Sequence, residues 1–169
     1  MSASPLPDRF ATVAELEDFL SQPTPELAAD LAKVPGDILV LGVAGKMGPT
    51  LARMAKRAVP SRRVVGVARF SDQAVRAGLE KAGIKTIACD LLHRRAVEAL
   101  PRLPNVVYMA AMKFGASGNP ALTWAMNVHA PTIVAEGFAV TASMDFEAMR
   151  KMPAAPKGRI APAHPEKHA

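Results

Sequence analysis

The stretch ILVLGVAGKMGPTLA, from Ile38 to Ala52, decides how the chain is read. A short continuous apolar run, the pattern of a parallel strand buried on both faces, breaks into glycines at 42, 45 and 48. Leu51, Met54, Ala55 and Ala58 then recur at helical spacing. A G-x-x-G-x-x-G spacing between strand and helix is the context in which such glycines acquire a phosphate-binding meaning. Gly42 permits the tight turn, Gly45 lets a pyrophosphate approach the backbone, and Gly48 lets the helix pack closely on the strand. Free amides near Lys46 and Met47, at the positive end of the helix dipole, would face the phosphates. Pro49 loses little in the first helical turn, where its N–H would lack a partner anyway. The other reading is a glycine-rich turn without a ligand. A nucleotide-kinase P-loop does not fit, because Val40 stands at its first glycine and Met47 follows the lysine.

Working outward, strands and helices alternate. Ile38 to Leu41 is the first strand, Val64 to Ala68 the second, Lys85 to Cys89 the third and Asn105 to Ala110 the fourth. Helical segments run from about Asp72 to Ala82, stopped by Gly83, from His93 to Leu100, and from Pro120 to Glu136. This alternation implies right-handed crossovers and a parallel sheet covered on both faces. The expected fold is α/β, a Rossmann-type parallel sheet that is C-terminally incomplete. Phe138-Ala139-Val140-Thr141 reads as the start of a fifth strand, and Ser143 as the cap of a short helix through Met149.

Upstream, residues 1–36 read as an N-terminal helical arm. Thr12 and Glu15 form a capping box ahead of Val13, Leu16, Phe19 and Leu20, which share one helical face. Thr24-Pro25-Glu26 starts a second helix with the stripe Leu27, Leu31 and Val34. The arm is expected to cover one side of the core. Residues 37–140 are expected to form the dinucleotide-binding Rossmann-type domain, and 141–169 a short helix followed by a proline-rich basic tail, too polar to offset its ordering entropy.

Composition narrows the function. The chain has 169 residues, a net charge of +6 and a single cysteine, Cys89, which rules out a disulfide framework or a cysteine-cluster metal site. No apolar run approaches a membrane span, and the N-terminus lacks the basic start and apolar core of a secretory signal, so the expected location is cytoplasmic. Much of the positive charge is local: Arg150, Lys151, Lys157, Arg159 and Lys167 face the single acid Glu166 in the tail. With one Trp, one Tyr and six Phe there are few stacking platforms, which disfavours nucleic acid as a partner. The histidines show no metal-ligand spacing, so no metal site is expected. Cys89 reads as a small buried hydrophobe, and Met47, Met54 and Met126 as packing residues.

Dinucleotide-binding folds select their cofactor at the end of the second strand, about 20 residues beyond the glycines. There this chain has Ala68-Arg69-Phe70-Ser71, with the nearest acid at Asp72. Arg69 can make bidentate bonds to a 2′-phosphate and Ser71 can add a hydroxyl, which favours NADP over NAD. A solvated arginine in a loop is the alternative.

Four motifs in order resemble the extended short-chain dehydrogenase/reductase family, the NAD-dependent epimerases and dehydratases. LGVAGKMG resembles their T-G-x-x-G-x-x-G, with Leu41 in place of the threonine and Lys46-Met47 in place of an apolar pair. Cys89-Asp90-Leu91-Leu92 resembles the third-strand D-L motif, and Tyr108-Met109-Ala110-Ala111 the fourth-strand H-x-A-A. Asn127-Val128 resembles the N-V-x-G-T segment, from which Ala130-Pro131 departs. The resemblance implies that Asp90 and Leu91 meet the adenine end and that Ala110, Ala111 and Asn127 line the cofactor site. It also implies hydride chemistry on sugar-nucleotide or related substrates, with a Ser or Thr after the fifth strand and a Tyr-x-x-x-Lys pair.

That pair is missing. The only tyrosine, Tyr108, lies in the fourth strand, Met112 stands where the lysine would be, and Lys113 is one position out of register. Thr141 and Ser143 can mimic the hydroxyl residue, but no tyrosine follows them. No catalytic residue is assigned, and the expectation is a truncated or frameshifted family member, diverging after about Glu136 or Phe138. The alternative is a non-enzymatic dinucleotide sensor or interaction module. A sheet lacking its later strands also exposes an edge, so self-association is expected.

Overall fold

A computed structural model describes residues 7–112 and 118–139. Four strands, β1 (Ile38–Leu41), β2 (Val64–Ala68), β3 (Lys85–Ala88) and β4 (Asn105–Tyr108), form one parallel sheet in the order β3-β2-β1-β4. Register is continuous across it: Leu41 lies beside Val67 on one side and Tyr108 on the other. β1 and β2 are buried along their whole length, as a central parallel pair must be when helices cover both faces.

Alternation along the strands sorts the core into two layers. Leu39, Leu41, Val65 and Val67 point into one, with Val97 of α5 (Arg94–Glu98) and Ile133 and Val134 of α7 (Ala130–Ala139). Ile38, Val40, Val64 and Ala68 point into the other, with Ala52 of α3 (Gly48–Ala58) and Leu79 of α4 (Gln73–Lys81). The expected Rossmann-type α/β architecture is therefore present, with shifts at the element ends. Asp72 and His93 are N-caps, their side chains accepting from the amides of Ala74 and Ala96, rather than first helical residues. β4 stops at Tyr108, although Met109 still donates to Leu41 O at 2.8 Å.

The expectation at Phe138 and Ala139 fails. Both belong to α7, which continues where a fifth strand was expected. Phe138 packs against the α5/α7 core layer, and the Arg102 guanidinium lies 4.8 Å from its ring centroid while donating to Gly137 O. Those tertiary contacts outweigh a local β preference. Val140, Thr141, the 143–149 segment and the tail lie outside the described residues.

The long helix before α7 is also interrupted. α6 (Pro120–Trp124) runs into a π-helical turn at Ala125–His129, where the Ala130 N–H reaches Ala125 O. Pro131 explains it: the ring has no N–H for Asn127 O and would crowd that carbonyl in a regular helix.

The arm consists of α1 (Val13–Leu20) and α2 (Pro25–Lys33), both laid on α3. Its caps are as expected, Thr12 accepting from Glu15 N and Thr24 from Leu27 N. Its apolar stripe is not used as expected. Val13 is 72% exposed and Phe19 40%, and neither helix contains a buried residue. Three arginines do the holding instead. Arg53 pairs with Glu17 at 2.9 Å, Arg57 with Asp18 and Ser21, and Arg62 donates to the carbonyls of Leu31, Ala32 and Val34 at the end of α2. Of the arm's apolar stripe, Leu31 packs against the core layer of α3 and α4 and Phe19 meets the Phe10 ring, while Val13, Leu16, Leu20, Leu27 and Val34 are exposed.

Candidate functional site

The carboxyl ends of all four strands open on one crevice of about 230 Å³. It lies where the strand order reverses, between β1 and β4, the place where open parallel sheets hold ligands.

The glycine turn forms its floor. The amides of Gly42 and Val43 both donate to Val67 O, and Gly45 N donates back to Gly42 O at 3.1 Å. Gly42 sits at φ +84°, and a Cβ there would lie 2.5 Å from Ala110 N. A Cβ on Gly48 would overlap the carbonyl of Val43, so α3 starts against the turn only because position 48 has no side chain. Gly45 differs: its bare side is exposed, and a Cβ would meet only Gly42 O at 3.3 Å. α3 has no side-chain cap at Met47, and the amides of Lys46, Met47 and Thr50 find no acceptor among the described residues. An uncapped helix start with free amides beside an open glycine is a ready anion cradle. Lys46 and Met47 are exposed at its rim, and Met47, expected as packing, is 70% exposed.

At the end of β2 the chain turns sharply. Phe70 has φ +50° and is buried, whereas Arg69 and Ser71 on either side are exposed and line the crevice. At the end of β3, Asp90 is exposed and caps the turn by accepting from Leu92 N at 3.0 Å, which fixes its carboxylate orientation. Leu91 and Cys89 are buried beside it. Burial, and to a lesser degree the Asp90 charge, push the Cys89 thiol pKa up, so this sulfur stays protonated at neutral pH.

Beyond β4, Ala110 and Ala111 line the same crevice. Asn127 does not. Its side-chain amide faces the backbone of Met112, accepting from Met112 N and donating to Met112 O, both at 2.7 Å. The π turn thus ties the segment after β4 to the helix above it. Tyr108 is half-buried, its hydroxyl 3.5 Å from Met126 O, and burial raises its pKa.

Of the residues singled out in the sequence, Gly42, Gly45, Arg69, Asp90, Leu91, Ala110 and Ala111 come together at the crevice. Lys46, Met47 and Gly48 flank it, and Asn127 lines the adjoining pocket. Phe70 and Met126 also line it, and sequence reading gave neither a role there. A left-handed phenylalanine has no sequence signal, since aromatic residues disfavour that region.

The sheet order and the glycine turn are those of a Rossmann-type dinucleotide-binding domain. Residues 38–143, more than half of the chain, match the NAD dependent epimerase/dehydratase family, and the chain belongs to it. Membership implies a nicotinamide dinucleotide as the ligand class of this domain. No curated protein matches the chain. Among the described residues no helix is long and apolar enough to cross a membrane.

Proposed function

We propose that this chain binds NADP in preference to NAD and that its 169 residues hold the coenzyme without turning it over. The observation that carries the binding is the uncapped start of α3 beside the bare face of Gly45. Gly42, Gly45, Lys46, Met47 and Gly48 would hold the diphosphate through backbone amides and the Lys46 charge. Arg69 and Ser71 would take the ribose 2′-phosphate, Asp90 and Leu91 the adenine end, and Ala110 and Ala111 the channel leading to the nicotinamide. Asn127 would act through Met112, fixing the backbone that follows Ala111.

When bound, nicotinamide supplies a hydride acceptor. The protein group needed to move the accompanying proton is a tyrosine with a lysine beside it, and Tyr108 lacks that lysine. Its hydroxyl already points to Met126 O. Binding without chemistry, as in a dinucleotide sensor, is therefore the preferred reading for this chain. Sugar nucleotides are the substrate class we propose for relatives that carry the full pair. The arm at residues 1–36, the domain at 37–140 and the 141–169 segment are proposed as its organisation, and the cytoplasm as its compartment.

Calorimetry with NADPH and NADH on the whole chain tests this. Saturable binding, tighter for NADPH, with the preference lost in Arg69→Ala, is expected. No binding of either nucleotide overturns the proposal, and oxidation or reduction of nucleotide sugars by the purified chain overturns the claim of binding without turnover.

A further inference from the structure

Resting on the reading of Arg69 and Ser71 as the 2′-phosphate site, we infer that Phe70 is the positioning residue that sets coenzyme preference. Among the described residues it is the only non-glycine with positive φ. Aromatic residues rarely adopt this conformation, and where one persists the surroundings over-determine it.

Those surroundings act from three sides. The ring is 3% exposed, within the buried layer that contains Val40, Ala68 and Leu79. The backbone carbonyl of Phe70 accepts from Gln73 Nε2 at 2.8 Å, tying the turn to α4. From outside, the Arg76 guanidinium lies 5.6 Å from the ring centroid, and Arg76 is itself held by Glu80 and Thr86, each at 3.0 Å. An extended conformation at Phe70 would carry Ser71 onward along the strand axis, away from the crevice. The left-handed turn stops that advance at the carboxyl end of β2, so the residues on both sides of the ring line the crevice. The ring is the anchor, and Arg69 and Ser71 are what it presents.

The consequence separates two affinities. Only NADPH carries the 2′-phosphate, so loosening the anchor weakens NADPH and leaves NADH, held by the glycine turn, nearly unchanged. Phe70→Val keeps an apolar side chain but resists the left-handed region. Arg76→Met leaves the core intact and removes the cation over the ring. Calorimetry on Phe70→Val should show NADPH binding weakened about tenfold, the size of a lost charge-assisted contact, with NADH changed by less than about twofold. Arg76→Met should lower the NADPH/NADH ratio about threefold, as expected for loss of a cation–π contact.

Equal losses for both nucleotides in a folded Phe70→Val would mean the ring is merely structural and would overturn the inference, as would an unchanged ratio. If that variant does not fold, an unchanged ratio in Arg76→Met overturns it instead. Arg69→Ala tells the two levels apart. If it abolishes the NADPH preference while Phe70→Val and Arg76→Met preserve it, the phosphate site stands and the anchoring role falls. If Arg69→Ala leaves the ratio untouched, the phosphate site itself is wrong, and the anchoring role falls with it.

Discussion

A Cβ placed on Gly42 would lie 2.5 Å from the backbone nitrogen of Ala110. The turn after β1 and the segment after β4 therefore approach each other closely along the wall of the crevice. Position 42 also needs a positive φ, so any side chain there meets both strain and a clash it cannot escape by changing rotamer. Gly42→Ala is expected to destabilise the domain by about 2–4 kcal/mol, read by denaturant titration.

Gly45 and Gly48 should fail in opposite ways. A Cβ at Gly48 meets the Val43 carbonyl, so Gly48→Ala lowers the melting temperature even without ligand. A Cβ at Gly45 projects from an exposed backbone position with only a tight contact to Gly42 O. Gly45→Ala should melt within a few degrees of the wild type yet bind NADPH about tenfold more weakly. Thermal melts paired with calorimetry check both arms.

The same contrast shows what was legible in the sequence. Strand positions and the glycine turn could be read because both are local: apolar runs mark the strands, and spacing marks the turn. The left-handed Phe70 was illegible, because only the surrounding core and Arg76 make that conformation tolerable. The π turn was half visible. Pro131 stood out as a departure from the family pattern, but the tie between Asn127 and Met112 joins positions fifteen residues apart and leaves no local mark. The arm misled because periodicity reports an apolar stripe, not which way it faces, and the arginines on and after α3 attract the polar side.

The Asn127–Met112 pair should matter for stability. Asn127→Leu leaves the N–H and C=O of a part-buried backbone without their partner, an expected loss of about 1–3 kcal/mol. Asn127→Asp retains the acceptor for Met112 N but sets a carboxylate against Met112 O, so it should fall at least as far. Chemical denaturation of both variants decides this.

Attachment of the arm should depend on pH. Hydrogen bonds from Arg57, and then from Gln22, hold the Asp18 carboxyl below its ordinary value. A depressed folded-state pKa contributes above the unfolded value and is lost as pH falls through the folded one. Acidification below the usual aspartate range should therefore loosen α1 while the sheet persists. Hydrogen exchange should show faster opening at α1, and Arg57→Ala should show that opening already at neutral pH, with little further change on acidification.

β4 pairs only with β1 among the described strands, and Val106 on it is 37% exposed. Exposed strand edges recruit other strands. We expect concentration-dependent association by analytical ultracentrifugation, reduced by Val106→Lys. A monomer at high concentration would refute it.

Cys89 lines the crevice, 7% exposed and kept in its thiol form by burial and Asp90. As the chain's lone sulfhydryl it is a built-in reporter that needs no engineered label. Its slow alkylation would time how often the domain opens, and a coenzyme seated above it would slow that clock further.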